Sequence, residues 1–100
     1  MDVIKNQIND LKLNFTIEKY FEILNDLNNI RNSQLDLAFS QYRNDYANLC
    51  DDDDMDYKTM CKFKTKLSNS YDVKCKTINT NYKDFKMKLD TVYYLAKINN

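Results

Sequence analysis

Three cysteines, Cys50, Cys61 and Cys75, are the side chains best suited to metal binding or nucleophilic chemistry in this sequence. They lack CxxC spacing, and the chain contains no histidine. A structural zinc site usually needs four Cys or His ligands, and a cysteine nucleophile is usually activated by an imidazole base. The sequence therefore predicts no catalytic residue, metal site, cofactor or small-molecule substrate. We expect the cysteines to be reduced and structural, with Cys75 in the core. A disulfide between two of the three is the alternative.

An acidic run, Asp51 to Asp54, interrupts the pattern near the middle of the chain. An EF-hand loop beginning at Asp52 would place Tyr57 and Phe63 at positions that require glycine and glutamate, which argues against a calcium site. Carboxylates are unfavourable at the carboxyl end of a helix and favourable at the amino end. We therefore expect an acidic loop over residues 51–54, which ends one helix and precedes the next.

The net charge of zero conceals an asymmetry, because residues 57–100 carry ten lysines and only three aspartates. Lys58, Lys62 and Lys66 follow one another at four-residue spacing and would form one stripe on a helix. A lysine stripe can neutralise phosphates, so these three residues define a nucleic-acid-binding alternative. The other interpretation is electrostatic attraction between the basic and acidic parts of the chain.

The 100 residues include neither glycine nor proline, which favours long helices over tight turns and glycine-rich catalytic loops. Asparagine, lysine, aspartate and tyrosine dominate instead, as is typical of an AT-rich genome, for example that of a virus, a phage or a parasite. Apolar residues recur at spacings of three and four, with slips near residues 28–33 and 68–70, which we interpret as helix breaks. Helices are therefore predicted near 2–29, 33–50, 55–68 and 70–98.

These elements predict an all-α fold, a small antiparallel bundle of three to four helices in a single domain spanning residues 1–100. If the two slips are instead stutters in continuous helices, the alternative is a long two-helix coiled-coil hairpin that dimerises. No apolar run is long enough to span a membrane. The first residues lack the apolar region of a signal peptide, so a cytoplasmic location is favoured, in the producing or the host cell.

The last predicted helix carries a second apolar stripe on the face opposite its core positions. Val73, Thr80, Met87 and Tyr94 follow one another at seven-residue spacing, and Tyr93 and Leu95 widen the stripe. Methionine and tyrosine are enriched at protein interfaces. We therefore interpret Val73, Met87, Tyr93 and Tyr94 as candidate partner-binding residues, unless this helix is central and packs on both sides.

The function that these patterns favour is that of a non-enzymatic helical protein-interaction module. Such a protein would bind a protein partner or associate with itself, for example as a viral, phage or parasite accessory or inhibitor protein that occludes a partner's surface. The alternative is a basic helical protein that binds nucleic acid through the lysine-rich half.

Overall fold

The computed structural model describes residues 2–99, which form three α-helices joined by two short segments. Helix α1 spans Asp2–Leu13, α2 spans Ile17–Cys50 and α3 spans Tyr57–Asn99. Residues 2–99 contain no β-strand, so the prediction of an all-α fold is confirmed.

The chain leaves the helical conformation at residues 14–16, within the first predicted helix, 2–29. Thr16 provides the physical reason, because its hydroxyl oxygen accepts a hydrogen bond from the backbone N–H of Lys19 at 3.2 Å. This is the geometry of a helix N-cap, which satisfies an amide that has no partner inside the helix. The prediction of one continuous helix over 2–29 was therefore wrong, and α2 starts afresh at Ile17.

The two slips in the apolar pattern lie inside continuous helices, in contrast to the predicted breaks. Helix α2 runs through residues 28–33, and α3 runs through residues 68–70. Asparagine and serine each cost only a few tenths of a kcal/mol in a helix interior, which packing can offset. Around the first slip, Ile30 packs against the core and the guanidinium of Arg31 lies 4.1 Å from the ring centroid of Tyr82.

The acidic run lies in the segment between α2 and α3, residues 51–56. Asp56 caps α3, because its carboxylate accepts a hydrogen bond from the backbone N–H of Thr59 at 2.8 Å. The hydrogen bonds with Thr59 hold the pKa of Asp56 below its ordinary value. Helix α3 accordingly begins at Tyr57, two residues after the predicted start at 55.

The described residues group into two compact units, of which the first comprises residues 2–32 and 79–99. It contains α1, the first half of α2 and the last part of α3. Its core consists of buried aliphatic side chains from all three helices: Ile4, Ile8, Leu11, Ile23, Leu27, Leu89 and Val92. The prediction of a single domain over 1–100 stays a prediction.

The second unit, Ser33–Ile78, pairs the end of α2 with the start of α3. Its packing is largely aromatic, since the rings of Tyr42 and Tyr71 stack at 4.9 Å and Phe39 lies 6.2 Å from Tyr71. Cys75 is half-buried one turn after Tyr71, and the interaction between the two side chains is the main cause of the raised pKa of Tyr71. All three cysteines are free thiols, with Cys50 and Cys61 exposed.

Replacing Leu11 by alanine should lower the free energy of unfolding by about 2–5 kcal/mol, because its buried side chain would leave a cavity. Leu13 is a matched control on the same helix, since it is 88% exposed whereas Leu11 is 1% exposed. Leu13→Ala should change stability by no more than about 0.5 kcal/mol. Urea unfolding followed by circular dichroism measures both, and equal effects of the two substitutions would contradict the docking of α1.

The native thiols of Cys50 and Cys61 should be joined by a short bismaleimide within one chain. The ammonium of Lys64 lies 5.2 Å from the ring centroid of Tyr46. Cys50 follows Tyr46 by one helical turn, and Cys61 precedes Lys64 by one turn. Because the two helices run antiparallel, these steps of one turn from the contacting pair bring Cys50 and Cys61 to neighbouring positions. Mass spectrometry of the digested monomer should identify this pair. Preferential linkage of Cys50 to Cys75 would contradict the register.

Candidate functional site

The first unit has an open apolar groove of about 720 Å³ between the end of α1 and the last turns of α3. From α1 and the segment after it come Leu11, Lys12 and Phe15. The α3 residues follow one another at alternating spacings of three and one, so that residues three and four apart recur and all lie on one side of the helix. They are Asp84, Met87, Lys88, Thr91, Val92, Leu95, Ala96 and Asn99.

The floor and the walls of the groove differ in exposure. Leu11 and Val92 are buried at 1% and 6% exposure and belong to the core. Met87 and Leu95 are 68% and 52% exposed although both are apolar. The groove therefore joins the buried core to large side chains that remain in contact with water, which is an arrangement typical of docking surfaces.

Phe15 forms part of the groove because an aromatic cluster holds it in place. Its ring meets that of Tyr93 edge-on at 5.9 Å, and Tyr93 in turn lies 4.9 Å from Tyr20. Phe15 directly precedes the Thr16 cap, and Tyr20 lies four residues after that cap. These are the positions that a hydrophobic staple uses to fix how the chain enters a helix. The break between α1 and α2 thus positions one wall of the groove.

A partly buried hydrogen bond anchors this cluster to α3. The phenol of Tyr20 donates to the carboxylate of Asp90 at 2.7 Å, and the ammonium of Lys86 lies 3.3 Å from the same carboxylate. Burial, followed by the hydrogen bond and the negative charge of Asp90, raises the pKa of Tyr20 from 10.0 to about 12. The phenol therefore stays protonated, and so remains a donor, well above neutral pH.

Two lysines border the groove, one from each of the helices that form it. Lys12 lies in the last turn of α1, and Lys88 lies on α3 with its ammonium 5.2 Å from the ring centroid of Phe85. Within residues 2–99 the one salt bridge joins Lys86 to Asp90, so neither Lys12 nor Lys88 pairs with a described carboxylate. Asp84 is the single acidic residue of the lining.

The structure separates the four predicted partner-binding residues. Met87 lines the groove, and Tyr94 lies on the same part of α3 with 62% exposure. Tyr93 is half-buried because its ring packs in the aromatic cluster described above. Val73 belongs to the second unit, where it lines a shallower groove of about 340 Å³ with Leu37, Thr77 and Ile78.

Sequence reasoning missed the contribution of α1, namely Leu11, Lys12 and Phe15. A signal was present, because Leu11, Leu13, Phe15 and Ile17 alternate at a period of two across the break, out of step with a helix. That alternation marked the place where the chain leaves α1 and turns into α2.

The nucleic-acid alternative rests on Lys58, Lys62 and Lys66, which lie on α3 in the second unit. All three are exposed, and none takes part in a salt bridge with another described residue. The ammonium of Lys66 lies 5.6 Å from the ring centroid of Phe63.

Across residues 2–99 no three His, Cys, Asp or Glu side chains are grouped so that they could hold a metal ion. None of the described helices combines the length and the apolarity that crossing a membrane requires. Comparison with protein-family models, with curated proteins and with solved structures gave no match to this chain.

The free energy of unfolding should decrease between about pH 10 and pH 12. The unfolded Tyr20 loses its proton near the ordinary value of 10.0, whereas the folded Tyr20 keeps it until about 12. The folded state thus binds more protons in this range, and stability falls as the pH rises. Tyr20→Phe should remove part of this decrease.

Tyrosinate absorbance tests the cause directly. The difference between the titration curves of the wild type and Tyr20→Phe should be centred near pH 12. In an Asp90→Asn background it should move toward lower pH, because the acceptor has lost its charge. A difference curve centred near 10 in the unmodified background would contradict the hydrogen bond between Tyr20 and Asp90.

Proposed function

We propose that this chain is a non-enzymatic helical protein-interaction module, which binds an apolar segment of a protein partner in the groove between α1 and α3. The observation that carries the proposal is the exposure of Met87 and Leu95 directly above a floor formed by the core residues Leu11 and Val92. Solvent-exposed apolar side chains that border a concave surface gain free energy when a partner covers them.

The dimensions of the groove suit a peptide segment. Its α3 side extends from Asp84 to Asn99, which corresponds to about 22 Å of helix. Methionine adapts to different partner shapes because its side chain is unbranched and flexible, and Met87 supplies that adaptability here. A partner whose surface lay in this groove would be occluded, as expected for an accessory or inhibitor protein from a virus, a phage or a parasite.

The architecture that we propose for this function is a small antiparallel helical bundle. Within the first unit, Tyr20 contacts Tyr93 while Arg31 contacts Tyr82, so α2 and α3 run in opposite directions there. Gln7 donates to Asp26 at 3.1 Å and connects α1 with α2. The groove opens where the shorter α1 ends and α3 continues, and a two-helix hairpin alone would not form it.

Selection from a displayed library of random peptides, each about 15 residues long, tests the proposal without a known partner. Enriched peptides should bind the wild type and lose at least about tenfold in affinity for Met87→Asp/Leu95→Asp, because a carboxylate in an apolar contact is costly. Val73→Asp is the matched control, since Val73 is an apolar residue of α3 that is 62% exposed but lies in the second unit. It should bind the selected peptides like the wild type.

Three results would contradict the proposal. They are the absence of any enriched peptide, binding that Met87→Asp/Leu95→Asp leaves unchanged, and binding that Val73→Asp alone abolishes. Both variants change exposed side chains, and circular dichroism should report the helical content of the wild type. If the double variant unfolds, the measurement is repeated with Met87→Ser/Leu95→Ser, for which the same loss of affinity is expected.

Nucleic-acid binding is the second candidate, favoured by the exposed stripe of Lys58, Lys62 and Lys66. Under this alternative, affinity for duplex or single-stranded DNA would fall about ten- to a thousandfold between about 50 and 200 mM salt, because bound phosphates release counterions. Changing the three lysines to glutamine would abolish the binding. Fluorescence anisotropy with labelled random DNA measures it, and no binding at about 50 mM salt would eliminate this candidate.

A further inference from the structure

The border of the groove is positively charged, and the apolar lining does not account for this charge. Lys12 and Lys88 are both exposed and project from different helices, and neither has a carboxylate partner among residues 2–99. Lysine is depleted from the interiors of protein interfaces but tolerated at their rims, where charge complementarity contributes to the choice of partner. Against these two positive charges the lining contains one negative charge, that of Asp84.

The backbone around the groove restricts the conformation of an occupant. The α3 side of the groove is continuous helix, whose backbone groups bond within the helix, so it offers no open strand edge to a ligand. Backbone groups of a bound segment that face this wall therefore find no partner in it, and an α-helix satisfies them within the segment itself. Four turns of α3 line the groove, and four turns of a partner helix would cover it.

We infer that the groove accepts an acidic amphipathic helix, whose apolar stripe contacts Met87 and Leu95 while flanking Asp or Glu side chains pair with Lys12 and Lys88. This inference rests on the proposed function and adds the chemical class of the partner. The apolar contacts supply most of the affinity, and the two lysines select for acidic flanks and set the orientation of the helix.

Two designed peptides of about 15 residues test the selection by charge. Both carry the same leucines at helical spacing, and one has glutamates and the other has lysines beside the stripe. Fluorescence anisotropy at about 50 mM salt should give the glutamate peptide at least about tenfold higher affinity, and the difference should shrink at about 200 mM salt because screening increases. Met87→Asp/Leu95→Asp should weaken both peptides.

A matched pair of variants separates the local effect of Lys12 and Lys88 from the effect of the net charge of the chain. In Lys12→Gln/Lys88→Gln the preference for the glutamate peptide should fall to about twofold or less, because its ion partners are gone. Lys58→Gln/Lys62→Gln removes the same charge from the exposed surface of α3 in the second unit and should keep the preference.

Equal affinity of the wild type for the two peptides, both lost in Met87→Asp/Leu95→Asp, would overturn this inference and leave the proposed function standing. Equal loss of preference in the two lysine variants would also overturn it, since the cause would then be net charge. Binding of neither peptide would overturn the inference, and the library selection would decide separately on the proposed function. Sedimentation of the protein alone should give a monomer, and a dimer that Met87→Asp dissociates would show a second copy in the groove instead.

Discussion

The docking of α1 onto α2 and α3 in the first unit is the interaction on which the candidate site depends. A helix of 12 residues is marginal in water when isolated, so α1 owes its stability to burial of Ile4, Ile8 and Leu11. Each such side chain contributes about 1.5–3 kcal/mol when it is fully buried. The same contact forms the floor of the groove, because Leu11 packs in the core and also lines the cavity. The groove therefore exists only where α1 is docked.

The capped break at residues 14–16 connects this packing to the chemistry of the surface. It ends α1 while α3 continues alongside, and it sets Phe15 against the aromatic cluster of Tyr20 and Tyr93. Asp90 fixes the cluster from α3 through a hydrogen bond to a phenol that stays protonated. The exposed apolar face of α3 thus acquires a wall on one side and becomes a groove.

Much of the fold could be predicted from composition and periodicity, because the absence of glycine and proline and the three-and-four spacing of apolar residues both favour helices. The helix boundaries depended on small free-energy differences between side-chain packing, capping and helix propensity. At residues 28–33, packing of Ile30 and Arg31 outweighs weak helix propensities, whereas at residue 16 one threonine side chain suffices to begin a new helix. Of the candidate site, Met87 and Leu95 could be recognised as residues of an apolar stripe on one helix, and both are exposed. The contribution of Leu11 and Phe15 could not, because it depends on where the end of α1 lies in three dimensions.

Nuclear Overhauser effects between methyl groups test the central claim most directly. In the methyl-labelled protein, the methyls of Ile4, Ile8 and Leu11 should show cross-peaks to those of Leu89 and Val92, since all five side chains belong to one buried cluster. These cross-peaks would establish the docked α1 and, with it, the floor of the groove. Cross-peaks from the α1 methyls confined to α1 itself would show a helix that does not dock, and the account of the site would then fail.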